Sequence, residues 1–295
     1  MLSFNISKPL TICVVVATGI LGITSSVGSQ EPSPTAGLRH APIEVHRNPD
    51  ATPAHGLRSQ WLSGNWSGYE FANFQTGQKY TQAQMTWVVP TVTYGSSSDS
   101  TSSAEYSANW VGIGGFCENR LCTRGDKTLI QLGTEQDVAP DGTTQYYAWY
   151  EILPAAETPF PANNIVKPGD TITASLECVS ACSAKKQTWR LTMSNPTENW
   201  TWSQNLSYAS SMLSVEWIEE APYQGGVLPL ADFAVANISA KGGVNTGQTP
   251  SLALSANGIE MEDPWGQTSA PSSATSLANF DACWGYTTFA SCSTP

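Results

Sequence analysis

Apolar and polar residues alternate along this chain with a period of two far more often than they recur with helical spacing. Runs at 66–71, 80–89, 108–113, 128–132, 144–153, 171–179, 187–193, 200–206, 213–219 and 231–240 are enriched in Val, Ile, Trp, Tyr and Thr, and clusters of Gly, Pro, Asn, Asp and Ser separate them. That pattern predicts half-buried strands joined by turns, and a succession of such strands without helices predicts a sandwich or a barrel. The Ser-rich stretch 96–103 reads as a solvent loop or a flap beside a cleft, and the chain has no internal repeat.

One strand carries an unusual load. The run Val215-Glu216-Trp217-Ile218-Glu219-Glu220 ends at Pro222. Side chains alternate between the faces of a strand, so Glu216, Ile218 and Glu220 share one face and Val215, Trp217 and Glu219 the other. Carboxylates this dense beside a tryptophan are costly to place on a sheet unless they have a role.

The regions before the strands read differently. In 1–29, Lys8 precedes an apolar run at 9–23, and Val27 and Ser29 stand before Gln30 as at a cleavage site, which is the pattern of a secretory signal. The run is too short for a membrane span. Residues 30–60 are rich in Pro, Ala, Arg and His and have no strand or helix periodicity, so they read as a propeptide or linker. Residues 61–295 are long enough for one large all-β domain with its own core.

Cysteine usage agrees with export. Of the 7 cysteines, Cys13 lies in the leader and the rest fall as close pairs, Cys117 with Cys122, Cys178 with Cys182 and Cys283 with Cys292. Local disulfides are the simplest pairing, and the spacings are not those of a zinc ribbon. Asn65, Asn199, Asn205 and Asn237 stand in glycosylation sequons.

Charge narrows the function classes. With 13 Lys and Arg against 24 Asp and Glu, the net charge is −11. That excludes nucleic acid and anionic membrane surfaces as expected partners. A chain with few bases also builds little positive charge when its carboxylates protonate, which suits an acid environment. The 3 histidines are His40, His46 and His55. A domain at 61–295 therefore has none, which disfavours serine-triad, cysteine–histidine and histidine–zinc centres and leaves carboxylates, amides, hydroxyls and thiols. The paired Asp-Thr/Ser-Gly motifs of pepsin-like enzymes are absent.

Several segments, in order, resemble the glutamic peptidase (eqolisin) family of pepstatin-insensitive acid endopeptidases. They are Asn65-Trp66-Ser67-Gly68-Tyr69, Trp110-Val111-Gly112-Ile113, Leu129-Ile130-Gln131-Leu132-Gly133, Tyr147-Ala148-Trp149-Tyr150-Glu151 and Glu216-Trp217-Ile218-Glu219-Glu220, followed by Ala231-Asp232-Phe233. The resemblance implies an antiparallel β-sandwich of two large sheets, concanavalin-like or jelly-roll-like, with a cleft on a concave face. It implies a catalytic Gln131/Glu220 dyad, with Glu220 activating water and Gln131 stabilising the oxyanion. Glu216, Trp110, Tyr147, Trp149 and Glu151 would form the cleft wall and orient the dyad. The implied substrates are polypeptides. No cofactor or metal is expected, nor a membrane partner after processing, and the enzyme is expected to be a secreted monomer.

Two positions depart from the family pattern. Gly114 and Tyr147 stand where fungal members often carry Asp. Fewer nearby carboxylates are expected to lower the pKa of Glu220. The main rival is a Trp-rich sandwich acting on or binding carbohydrate through Glu151 and Glu220, in which Gln131 would be dispensable; a non-catalytic aromatic binding module is the other. Finally, 30–60 holds every histidine plus Arg39, Arg47 and Arg58 beside an acidic domain. It is expected to block the cleft near neutral pH and to leave it when cleft carboxylates protonate.

Overall fold

A computed structural model of the chain describes residues 37–47, 59–95, 103–243, 256–273 and 279–288. The leader, most of the Ser-rich stretch, His55 and Cys292 lie outside the described residues.

The regular structure of the described residues is almost entirely strand. The sheet that carries the candidate residues is built from β3 (Trp66–Ala72), β5 (Glu105–Gly114), β6 (Leu129–Val138), β7 (Thr144–Ile152), the short β8 (Thr158–Pro159) and β12 (Ser214–Glu220). Its order is β3-β12-β5-β6-β7-β8, antiparallel throughout. A second layer holds β4 (Gln82–Val88), β9 (Thr171–Ser180), β10 (Gln187–Asn195), β11 (Trp200–Tyr208), β13 (Val235–Gly243) and β16 (Asn279–Trp284), in the order β11-β10-β9-β4-β13-β16. Strands β14 (Asn257–Glu262) and β15 (Thr268–Pro271) connect β16 to β3, so hydrogen bonds run continuously from one layer into the other. The expected antiparallel β-sandwich is therefore present, made by one sheet folded onto itself.

Alternation explains the layering. In β4, β9 and β10 every second residue is buried, the signature of a sheet with one face in the core. In β3, β5, β6 and β12 nearly every residue is buried. One face of these strands supplies Tyr69, Phe71, Val111, Ile113, Ile130, Leu132, Val215 and Trp217 to the main core between the layers. The opposite face supplies Trp66, Trp110, Leu129 and Ile218, joined by Trp149 of β7, to a second, smaller cluster. Full burial of one large side chain contributes about 1.5–3 kcal/mol, so Trp87, Trp189 and Trp217 in the main core are major anchors.

Every strand predicted from periodicity is present, but the chain has more. The stretch read as lacking strand periodicity supplies β1 (Val45–Arg47), which pairs with β2 (Ser59–Ser63). β2 in turn lies parallel to β14. The turn after β3 forms one short helix, α1 (Asn73–Thr76), closed by Gly77 in the left-handed region. Disulfides join Cys117 to Cys122 and Cys178 to Cys182, as their spacing suggested. Asn65 corrects one sequon: it is fully buried and hydrogen-bonded, so the fold denies it to glycosylation, whereas Asn199, Asn205 and Asn237 are exposed.

Candidate active site

Register places the candidate residues in three parallel rows across the sheet. One row runs Trp66, Glu220, Ala108, Glu135, Tyr147; the next Gly68, Ile218, Trp110, Gly133, Trp149; the third Glu70, Glu216, Gly112, Gln131, Glu151. Trp110 stands in the middle of the second row, and Gly112 and Gly133 make room for it: a Cβ on Gly112 would lie 2.7 Å from the Trp110 ring. At Gly133 there is no space for even a methyl group: a Cβ would lie 2.3 Å from the Asn109 carbonyl oxygen and 2.6 Å from Trp110 Cβ.

Glu220 and Gln131 face the same side, two rows apart, and both are fully buried. Glu220 is held by indole donors. Trp110 Nε1 donates to its Oε2 at 2.7 Å, and Trp66 Nε1 donates to its Oε1 at 3.3 Å, with Asn65 Nδ2 at 3.5 Å. Gln131 Nε2 donates to Glu151 Oε2 at 2.7 Å, which fixes the orientation of the amide. Glu219 points to the other side of β12 and accepts from Asn109 Nδ2, so adjacent glutamates have separate environments. Glu216 stays on the cleft side but sits opposite Glu70, away from Glu220.

The space above this floor is filled by the chain itself. Residues 38–44 cross the site in extended form. Glu157 N donates to the Leu38 carbonyl, Arg39 exchanges backbone bonds with Tyr223, and Ile43 N donates to the Gly115 carbonyl. At the centre, His40 N donates to Glu151 Oε2 at 2.9 Å, and the His40 carbonyl accepts from Gln131 Nε2 at 2.8 Å. Trp66 Nε1 donates to the Ala41 carbonyl at 3.0 Å. The His40 ring stacks on Trp149, centroids 3.5 Å apart and planes within 1°. Its Nδ1 meets Glu220 Oε2 at 3.0 Å and its Nε2 meets Glu157 Oε2 at 3.1 Å. Glu135 Oε2 lies 3.6 Å from Nε2, and Tyr147 donates its hydroxyl to the other oxygen of Glu157 at 2.8 Å.

Burial and charge pull these groups in different directions. For His40, burial favours the neutral ring, but the hydrogen bonds and charges of Glu157 and Glu220 prevail and raise its pKa to about 10. Burial raises the pKa of Glu220, with the His40 and indole hydrogen bonds opposing it. The expected lowering of Glu220 is therefore corrected. Burial outweighs the carboxylates missing at Gly114 and Tyr147, and Glu135, Asp137 and Glu157 repopulate the site with acid. Burial also raises Glu151 to about 8 and Asp137 to about 7, and pushes Glu135 well up. His40, Glu135 and Glu157 offer ligand atoms within 4.8 Å of one another. Both ring nitrogens are already engaged by carboxylates, so the imidazolium has no lone pair for a metal.

Sequence reasoning gave no role to Asn65, Trp66, Glu135 and Glu157, and of His40 it expected only that its segment, 30–60, blocks the cleft. Trp66 and Asn65 did stand in a motif used for the resemblance, though without a role. Nothing in the local pattern marks Glu157, which follows the turn after β7.

The Peptidase A4 family model matches residues 64–282. The chain belongs to the Peptidase A4 family. This is the glutamic peptidase family that its motifs resemble, and the protein is a peptidase of that type. It is 27% identical over 228 residues to Aspergillopepsin-2 of Aspergillus niger, covering 72% of this chain and 76% of that relative. The crystal structure of aspergilloglutamic peptidase from Aspergillus niger shares the fold, with a TM-score of 0.50 and 24% identity, over 61% of this chain and 99% of the other. The rival carbohydrate reading loses its family, and Glu151 accepts from Gln131.

The buried carboxyls predict how this Peptidase A4 protein responds to pH. Burial raises Glu70, Glu216, Glu219 and Glu135 well above the ordinary carboxylate range. Each binds its proton more tightly folded than unfolded. The stability they contribute is complete below about pH 4 and is lost as pH rises through the folded values; for Asp137 and Glu151 those are about 7 and about 8. Thermal melts of the full chain should show a loss of about 2 kcal/mol or more between pH 4 and pH 8. Glu216→Gln should flatten that slope; a melting temperature that rises toward pH 8 would contradict it.

Proposed function

We propose that the protein is a secreted acid endopeptidase, acting as a monomer, in which Glu220 and Gln131 cut extended polypeptides and residues 30–60 form a propeptide lying in the cleft. One observation carries this reading: an extended stretch of backbone crosses the site with its carbonyl on Gln131 and its N–H on Glu151. Such a grip on backbone groups suits any peptide sequence.

In hydrolysis, Glu220 takes a proton from water, the water oxygen bonds to the carbonyl carbon, and the carbonyl oxygen becomes an oxyanion. One Nε2 hydrogen of Gln131 donates to that oxyanion while the other stays on Glu151. Glu220 then returns the proton to the amide nitrogen, the C–N bond breaks, and a carboxylic acid and an amine leave. General acid–base transfer contributes about 10²–10⁴ in rate, and one oxyanion donor about 10²–10³. An amide does not titrate in acid, so Gln131 keeps its donors at any acid pH. Trp66 and Trp110 favour the ionised form of Glu220 that the first step requires.

The test is hydrolysis of a denatured protein by the full chain from pH 2 to pH 7, with pepstatin present. Activity should be confined to acid, and Gln131→Ala should lower kcat by about 10²–10³ while the fold persists. A Gln131→Ala variant with wild-type activity would defeat the dyad.

A further inference from the structure

We propose that Trp149, Glu157 and Glu135 form an imidazolium-binding subsite beside the dyad, and that peptides carrying a protonated histidine in the place of His40 bind there as inhibitors and are not cut. The inhibitor clause rests on the peptidase reading above; the subsite does not.

The geometry selects for this ring. Trp149 offers a flat face parallel to it at 3.5 Å, and a carboxylate oxygen stands at each in-plane nitrogen, Glu220 at 3.0 Å and Glu157 at 3.1 Å. A carboxylate accepts and does not donate, so both nitrogens must carry hydrogen, which is the doubly protonated form. Neutral imidazole would turn a lone pair toward a carboxylate. A leucine would offer no hydrogen to either acid, and a lysine ammonium is a point charge that can neither stack flat nor reach both ends. Tryptophan is also the aromatic face best suited to a cation.

Among the described residues, the titratable groups that face the ring are acidic or phenolic. Glu220 comes from β12, Glu135 and Asp137 from β6, Tyr147 and Glu151 from β7, and Glu157 from the turn after it. Glu135 and Asp137 are neighbours on one face of β6, and burial together with the charge of Asp137 pushes Glu135 well up, while Glu220 and Glu157 meet the two ring nitrogens. Glu157 and Glu220 are thus the direct counter-charges. The ring stays charged below about pH 10, so the pair weakens when carboxylates take up protons, and the ligand is released in acid.

Inhibition follows from where Nδ1 sits. A base must offer a lone pair to water, yet Glu220 Oε2 is taken by Nδ1 and Trp110, and Oε1 by Trp66 and Asn65. A histidine in this place holds its own carbonyl on Gln131 while occupying the oxygen that would activate water.

The test uses the full chain with His40→Gly and free imidazole as probe, with pyrazole as a ring of the same size that is uncharged at pH 6. Calorimetry at pH 6 should show imidazole binding at least tenfold more tightly than pyrazole, and Glu157→Gln in the same background should remove the difference. Equal binding of the two rings, or none, would overturn the subsite. An unsubstituted control covers misfolding of the variant: in the wild type, NMR of the His40 ring should show both N–H groups up to pH 8, and a ring titrating near its ordinary value would overturn it too. An 11-residue peptide of the 37–47 sequence should then inhibit acid hydrolysis by His40→Gly less at pH 3 than at pH 5, and its His-to-Leu analogue at least tenfold less than the parent at pH 5. Hydrolysis without such inhibition overturns the inhibitor clause. Imidazole binding without hydrolysis in any variant instead overturns the peptidase reading beneath it.

Discussion

Glu220→Gln should lower kcat/KM for peptide hydrolysis by about 10³–10⁴, while Glu219→Gln should stay within a few-fold of the wild type. The two residues are adjacent and both are fully buried, so the contrast tests position and not composition. Glutamine at 220 keeps the volume but has one acceptor oxygen where Trp66 and Trp110 meet two, and an amide cannot take a proton from water or return one to the leaving nitrogen. At 219 the situation is reversed. Burial pushes that carboxyl well above its ordinary range, so it is already neutral in acid and a glutamine replaces like with like. Its partner is Asn109, on the core side of the sheet. Both variants should fold, which circular dichroism at pH 4 checks. Comparable losses in the two would mean that the strand is disturbed as a whole and that Glu220 has no chemical role of its own.

That contrast rests on a reading available from periodicity. A period of two in 215–220 assigned opposite faces to Glu219 and Glu220. The strands that escaped are those whose pattern is short or interrupted: β15 is Thr268–Pro271, and β14 begins with Asn257 and Gly258. Their place is set by pairing with distant strands, which local pattern does not record. The same limit hid His40. Its segment has no alternation because it is held by backbone bonds to Glu157, Tyr223 and Gly115 rather than by an apolar face. The sequence therefore suggested a histidine-free site, whereas a histidine from the supposed propeptide lies at its centre. The net acidic charge did hint at what such a segment would meet, but not that one ring would bridge Glu220 and Glu157.

Gly68→Ala should be severely damaging, with a loss of about 3 kcal/mol or more in thermal or urea unfolding at pH 4. Gly68 lies within β3 with φ +148, and a Cβ there would come to 2.2 Å from the Trp217 carbonyl oxygen and 3.3 Å from Ile218 Cα. Backbone, not a side-chain tip, is what it meets. β3 must therefore move away from β12 along the register that pairs Gly68 with Ile218 and Trp66 with Glu220. The same movement draws the Trp66 indole from the Glu220 carboxylate, so the surviving folded fraction should also be impaired in hydrolysis. Gly77→Ala is the control. Gly77 has φ +70 at the end of α1 and nothing within 4 Å of a Cβ, so only the backbone preference is lost, about 1 kcal/mol, with hydrolysis unchanged. If the two substitutions cost the same, close contact between β3 and β12 is not what holds Trp66 over Glu220.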